Sequence, residues 1–263
     1  MSESGTLAGR VIAITGATGG MGRALALDCV RAGADVVLIA RNVQKLQGLR
    51  AELEQLRTGA ALMAPLDLER ALARDYDTLA AALLDRYGRL DGLVHCAAIL
   101  GTLTPIEHYD VPTWCRVLHV NLTAAFALTQ VLLPALRNSP DASVIFTSST
   151  VGREGRANWG AYAVSKFGVE GLVQVLAAEL AGNSAIRVNA INPGPARTML
   201  RRSAFPAENL ETVPKPEALT GPYLLLLGPQ GAGTSGASIN CQASGASPSS
   251  TAVSPPPSKR SMS

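Results

Sequence analysis

The sequence predicts an α/β protein in which helices cover both faces of a doubly wound parallel sheet. Three observations carry that prediction. Short apolar runs alternate in regular order with longer amphipathic ones, the pattern of repeated strand–helix units. The apolar runs are continuous rather than every second residue, as strands buried on both faces require. The first of them ends in a glycine-rich turn that opens a helix.

In order, "RVIAIT" (Arg10–Thr15) is the first strand, followed by the turn and the helical stretch "GRALALDCVRAGA". "DVVLIA" (Asp35–Ala40) is the second strand, and "RNVQKLQGLRAELEQLR" has helical spacing with exposed charges. "ALMAPLDL" and "LDGLVHCAA" are the third and fourth strands, separated by the helix "DYDTLAAALLDRYG". One long helix is expected over about Val111–Asn138, then a fifth strand "ASVIFTSS" and a helix from about Trp159 to Gly182. "IRVNAINPG" and "GASINCQ" complete seven strands. Between them, Ala196 to about Pro216 is polar and weakly patterned, a loop with a short helix. From about Ala243 the chain is Ser/Pro/Ala-rich, a composition that cannot bury enough apolar area to fold, and disorder is expected there.

Composition narrows the function. Of 263 residues, 47% are hydrophobic, 16% charged and 4% aromatic, so the core is aliphatic. A net charge of +3, with no basic stripe or aromatic platform, argues against nucleic acid as a partner. "MSESGTLAGR" has no apolar export signal, and the aliphatic run Leu224–Leu227 is far too short to span a bilayer. Cys29, Cys96, Cys115 and Cys241 lack metal-type spacing and read as reduced thiols of a cytoplasmic protein; three isolated histidines give no metal site.

The turn "TGATGGMG" places Gly16, Gly20 and Gly22 between the first strand and its helix. Glycines allow a tight turn and close backbone approach, and a helix N-terminus favours an anion, so the turn is a candidate phosphate cradle, with Thr18 and Met21 among its residues. Any tight strand-to-helix turn also wants glycine; the position in the first unit of a long βα array favours a dinucleotide. An NAD site usually carries Asp or Glu at the end of the second strand, whereas Ala40–Arg41 stands here. A guanidinium can clamp a 2′-phosphate, which favours NADP(H) while leaving NAD(H) possible; the alternative is a solvated Arg41 at a helix start.

In "GAYAVSKFG", Tyr162 and Lys166 stand one helical turn apart, about 5–6 Å at Cβ. A cation that close favours the phenolate over the phenol, and would make Tyr162 a usable proton donor and acceptor. Taken alone, a surface Tyr/Lys pair is the simpler reading. The chain, however, carries "TGATGGMG", Asp67 in "LDL", Asn121 in "VNLTAAF", "SSTVG", "YAVSK" and "NPGPART" in this order. In that set it resembles the classical short-chain dehydrogenase/reductase family, and "GREGRANWGAYAVSKF" resembles its YciK-type bacterial branch. The resemblance covers Leu7 to about Gln242, taken as one domain (7–242) between an N-terminal extension (1–6) and the tail (243–263).

The resemblance implies a Rossmann fold with sheet order 3-2-1-4-5-6-7. It implies Tyr162 as general acid/base, Lys166 as its activator and ribose ligand, Ser149 as the serine that bonds the carbonyl oxygen, and Asn121 as part of a proton relay through water. Ser148 should point to the opposite side of its strand. On the cofactor it implies Asp67 near the adenine, Ala97 along the loop after the fourth strand, and Pro193, Gly194 and Thr198 at the nicotinamide. The family's Asn-Asn-Ala-Gly is replaced here by His95-Cys96-Ala97-Ala98. If residue 98 needs a positive φ, alanine is strained there and cofactor binding suffers; His95 reads as a structural neighbour.

The function expected is reversible carbonyl reduction and alcohol oxidation on a small-molecule substrate. The altered "HCAA" loop and the short, irregular substrate segment motivate an alternative, a nucleotide-binding sensor or scaffold with little or no turnover. The helices near Val111–Leu136 and Trp159–Leu180 are apolar on more than one face and form the subunit interface in the family, so a homodimer or homotetramer is expected. Arg197, Arg201 and Arg202 either meet an anionic group or are solvated, with solvation the simpler reading; Phe205 is the only aromatic residue of that loop.

Overall fold

A computed structural model describes residues 6–242. Expectations for residues 1–5 and for the tail 243–263 lie outside the described residues. The strands are β1 (Val11–Thr15), β2 (Asp35–Ala40), β3 (Ala61–Pro65), β4 (Gly92–His95), β5 (Ser143–Thr147), β6 (Arg187–Asn192) and β7 (Ser238–Asn240). All pairs are parallel, and the sheet order is β3-β2-β1-β4-β5-β6-β7, as expected.

The continuous apolar runs are explained by two cores. Along β1, Ile12 and Ile14 face one cluster while Val11 and Ala13 face the other. Along β2, Val36 and Leu38 face the first cluster, and Val37 and Ile39 the second. With a period of two and both faces covered, each residue of a strand must be apolar. The first cluster includes residues of α1 (Gly20–Arg31), α2 (Val43–Leu56) and α8 (Gly221–Leu227); the second includes residues of α3 (Ala73–Tyr87), α5 (Ala124–Arg137) and α6 (Gly160–Leu180).

Two features depart from the sequence reading. The helix expected over 111–138 is α4 (Val111–Leu118), a π-helical turn over His119–Thr123, and then α5. The wider turn inserts a residue into the helical ladder and re-aims the side chains beside it; Asn121 lies in that turn. The stretch Val111–Arg137 is long and apolar enough to cross a bilayer, but here α4 and the π turn pack on α6, and α5 packs on α3. The loop after β6 carries α7 (Met199–Ala204), and α8, unassigned from sequence, takes up the Leu224–Leu227 run.

At the amino ends of the strands, buried Arg187 holds the carboxy-terminal segment to the sheet. Its guanidinium donates to Asp141 (2.9 Å) and to the carbonyls of Leu226 (2.7 Å), Gly231 (3.1 Å) and Gly228 (3.3 Å). Arg187→Ala removes all four hydrogen bonds from a buried site, although Asp141 keeps Arg10 and the Gly228 and Gly231 carbonyls keep backbone donors; it should lower unfolding free energy by about 3–5 kcal/mol in urea titrations, and a change below about 1 kcal/mol would contradict this role.

Candidate active site

The carboxyl ends of β1, β4, β5 and β6 converge on one side of the sheet, and the candidate residues lie on the segments leaving them. After β1 the chain turns through Gly16, whose φ is +63°. A Cβ there would come within 2.8 Å of the Ala97 nitrogen, so only glycine lets the turn pass the loop after β4. Gly22 instead packs its α-carbon against the Gly16 backbone, and Gly20 faces the methyl group of Thr198. Helix α1 starts with no side-chain cap and no acidic residue in its first turn. Its N–H groups and the positive end of its dipole are left for an anion. The Met21 side chain is buried in the core beneath, so only its backbone is available to a ligand.

Beside the turn runs a cleft of about 260 Å³. It brings together Gly16, Thr18, Arg41, Asp67 and Ala97 of the predicted cofactor residues. It also contains a carboxylate that the sequence reading missed, Glu69, two residues past Asp67. Glu69 accepts from Arg116 at 2.8 Å and lies 3.8 Å from the largely exposed Arg41. The Arg116 hydrogen bond, with the charges of Arg41 and Arg70, holds the Glu69 carboxyl below the usual range, so it stays ionised, one oxygen toward Arg116 and the other toward Arg41. Asp67 accepts the Glu69 N–H (3.1 Å), a cap on the strand end. The uncapped helix start, the glycines that only a bare backbone can occupy and the open cleft together fit a dinucleotide.

The "HCAA" loop is held by Thr15, another residue the sequence reading passed over. Its hydroxyl accepts from the N–H groups of Cys96 (3.1 Å) and Ala97 (3.2 Å). The Cys96 sulfur lies 3.5 Å from the Thr147 hydroxyl, which lies 3.1 Å from the Tyr223 phenol. Among the described residues Asn158 is the only non-glycine with a positive φ, so Ala98 is not strained. His95 stacks on Phe146 at 4.6 Å and shares a hydrogen bond with Thr129 (2.8 Å). Thr129 donates to the Ala125 carbonyl, so the His95 Nε2–H is the donor to Thr129. Burial pushes His95 down to about 3, and it is a neutral structural neighbour.

Tyr162 and Lys166 lie on the same face of α6, both buried. The Lys166 ammonium donates to the Thr147 carbonyl at 2.7 Å and sits 5.7 Å from the centre of the Tyr162 ring. Ser149, just past β5, is half-buried, whereas the Ser148 hydroxyl is fully buried and without a partner. The acidity differs from the sequence expectation. Burial pushes the Tyr162 phenol up to about 12, and the neighbouring Ser149 hydroxyl opposes this only in part. Burial likewise pushes Lys166 down to about 8, against the pull that a Cys96 thiolate would exert at high pH and that of Glu170 one turn further along α6. Within the protein itself desolvation sets the direction, and the phenol keeps its proton.

Asn121 is a brace. Its amide accepts the Ile99 N–H (2.8 Å) and donates to the Ile99 carbonyl (3.0 Å) and the Ser165 hydroxyl (3.0 Å). These contacts tie the loop after β4 to α6 and occupy the side chain. After β6, Gln242 donates to the carbonyls of Pro193 (2.7 Å) and Pro195 (2.8 Å), clasping the turn that contains Gly194; nothing in the sequence pattern singled it out. The Thr198 hydroxyl caps α7 by accepting the Arg201 N–H (3.2 Å). Solvation does not describe Arg197 and Arg201: they pair with Glu211 and Glu208 and fold the loop back on itself.

The sequence profile of the family described as short chain dehydrogenase matches residues 10–209. The chain is 41% identical over 233 residues to the uncharacterised oxidoreductase YciK of Escherichia coli K12, covering 89% of this chain and 92% of that protein. A Shigella flexneri short chain dehydrogenase structure complexed with NADP superposes with a TM-score of 0.89 at 40% identity, over 92% of this chain and 100% of that one. An Escherichia coli CFT073 structure complexed with NADPH superposes with a TM-score of 0.89 at 41% identity, over the same shares. With its sheet order, glycine turn and buried Tyr/Lys pair, the chain belongs to the short chain dehydrogenase family, and it is an oxidoreductase acting on CH–OH and C=O groups with NAD(P).

Proposed function

We propose that this protein is an NADP(H)-dependent carbonyl reductase, reversible as an alcohol dehydrogenase, with Tyr162 as its general acid/base. The observation that carries this reading is a buried phenol and a buried lysine one turn apart on α6, beside the strand-end serine and the glycine turn. Two similar structures hold NADP or NADPH. Ala40–Arg41 at the end of β2, which puts a largely exposed guanidinium and no carboxylate at the strand end, supports NADP(H) over NAD(H).

The bound nucleotide supplies the hydride. Gly16, Thr18, Gly20, Met21 and Gly22 would hold its phosphates at the start of α1, and Arg41 its 2′-phosphate. Asp67 and Ala97 would line the adenosine half, and Pro193, Gly194 and Thr198 the nicotinamide half. The remaining chemistry falls to four residues. Tyr162, pushed up to about 12, is protonated at neutral pH and delivers that proton to the carbonyl oxygen in reduction. Ser149 bonds the same oxygen and fixes its position. Lys166, at about 8, carries a positive charge at neutral pH and stabilises the phenolate left behind, besides reaching the ribose hydroxyls. Asn121 acts through the Ile99 and Ser165 contacts, so its share in a proton relay is one of position.

The sensor or scaffold reading rested on the altered "HCAA" loop and on the irregular substrate segment; Ala98 has no positive φ, so strain in the loop lends it no support. Phe126 of α5 and Val164, Phe167 and Val175 of α6 are exposed apolar side chains on the two helices expected to pair. Their cover in a homodimer or homotetramer is part of the proposal. Four free cysteines fit a reducing compartment, the cytoplasm.

Tyr162→Phe should lower turnover in NADPH-oxidation assays by about 10²–10⁴-fold while NADPH still binds; unchanged rates would refute the assignment. Arg41→Ala should weaken NADPH binding by about 10–100-fold in calorimetric titrations, with little effect on NADH. Equal affinities for the two nucleotides in the parent protein would refute the 2′-phosphate role.

A further inference from the structure

A third apolar cluster lies directly against the Tyr162 phenol, separate from the two sheet cores. Val151, Trp159, Tyr162 and Ala163 are its buried members, and Ala98, Leu100, Leu103, Leu200 and Phe205 pack against them. Two aromatic side chains dominate it. Trp159 is one turn before Tyr162, with its ring 5.8 Å from the Tyr162 ring and 5.8 Å from that of Phe205. The Trp159 and Phe205 rings are tilted by 43° to each other.

Both rings are held from outside the cluster. Asn158 adopts a φ of 70°, and Gly160 packs so closely on the Tyr109 ring that a Cβ there would lie 2.6 Å from it. This backbone, in a sparsely populated conformation on one side and sterically pinned on the other, sets the direction of Trp159. Phe205 follows α7 in the loop that folds over the site. Its ring lies 3.8 Å from the guanidinium carbon of Arg201, which forms a bidentate pair with Glu208. Arg156 lies over both rings, at 5.5 Å from Trp159 and 5.4 Å from Phe205.

We propose that Trp159 and Phe205 form an aromatic clamp for the substrate, and that the substrate is a carbonyl compound with a flat apolar body, such as an aryl ketone or aryl aldehyde. This rests on the reductase reading and deepens it. The cluster presents ring faces and aliphatic side chains beside the phenol. A sugar would bury several hydroxyls among the aliphatic side chains without partners, which is unfavourable, since the nearby guanidiniums of Arg156 and Arg201 lie on the ring faces. A flat ring instead stacks on Trp159 and is covered by Phe205, at the spacing of about 4.5–7 Å that aromatic pairs prefer. Admission of the ring requires Phe205 to swing away from Trp159, because the two rings already lie 5.8 Å apart. The reaction is balanced by groups already named: the carbonyl carbon receives hydride as NADPH is oxidised to NADP⁺, the oxygen receives the Tyr162 proton, and C=O becomes CH–OH.

The test compares kcat/KM for 2-acetylnaphthalene with that for hydroxyacetone, in the parent protein and in Trp159→Ala and Phe205→Ala. The aryl ketone should be preferred, and each variant should reduce that preference by about 10–100-fold, chiefly through KM. Phe205→Tyr, which keeps the ring, should retain it. Binding is read independently of turnover from Trp159 fluorescence in a Trp114→Phe background, where 2-acetylnaphthalene should quench the emission and hydroxyacetone should not. A preference for hydroxyacetone, or no quenching by the aryl ketone, overturns the clamp. Full turnover in Tyr162→Phe overturns the reductase reading, and the fluorescence arm still decides the clamp.

Discussion

The removal of Tyr162 and Lys166 from water is the constraint to which the rest of the site answers. Each is less than a tenth exposed, and burial acts on both in opposite senses, raising the phenol to about 12 and lowering the lysine to about 8. A buried lysine requires an acceptor, and it finds the Thr147 carbonyl at the end of β5. This places the ammonium between the strand end and the phenol. The pair is thus set by α6 and β5 together, and neither element alone would hold it.

Around that pair, ordinary structural contacts bring the strand ends into one site. Thr15 at the end of β1 holds the loop after β4 by two N–H groups. Asn121, in the π turn, ties the same loop to α6 through Ile99 and Ser165. Gln242 clasps the turn after β6. Glu170, buried one turn beyond Lys166, accepts from Arg153 (3.1 Å) and Ser238 (2.6 Å) and so links α6 to β7. It is also the carboxylate that favours the Lys166 ammonium, because Cys96, pushed up to about 11, is neutral in the physiological range. Cys96 sits in that loop with its own N–H and that of Ala97 held by Thr15.

Much of this was legible in the chain itself. The strands could be read because two-sided burial forces continuous apolar runs, as in Val36–Ala40. The Tyr162/Lys166 pair and Ser149 could be read because their spacing is local and survives translation into a helix and a strand end. Other features depend on tertiary contacts that leave no local pattern. The π turn at His119–Thr123 interrupts a stretch whose apolar spacing is helical throughout. Glu69 enters the cleft because Arg116, 47 residues away, holds it there. The acidity of Tyr162 was misjudged because a cation at i+4 is visible in sequence, whereas the loss of water around the phenol is not. Arg201 looked like a solvated residue because Glu208 and the Phe205 ring meet it only once α7 forms.

Burial keeps the Tyr162 phenol protonated in the protein alone, and if Tyr162 is to take a proton in alcohol oxidation, the positive charge of a bound oxidised nicotinamide must lower that barrier. The direct measurement is the pH titration of ¹³Cζ-labelled tyrosine by NMR, with the Tyr162 resonance identified among five tyrosines by Tyr162→Phe. The account predicts titration near 12 for the protein alone, and a move to lower pH on adding NADP⁺ but not on adding NADPH. A Tyr162 resonance that titrates near the ordinary value of about 10, unmoved by either nucleotide, would contradict it.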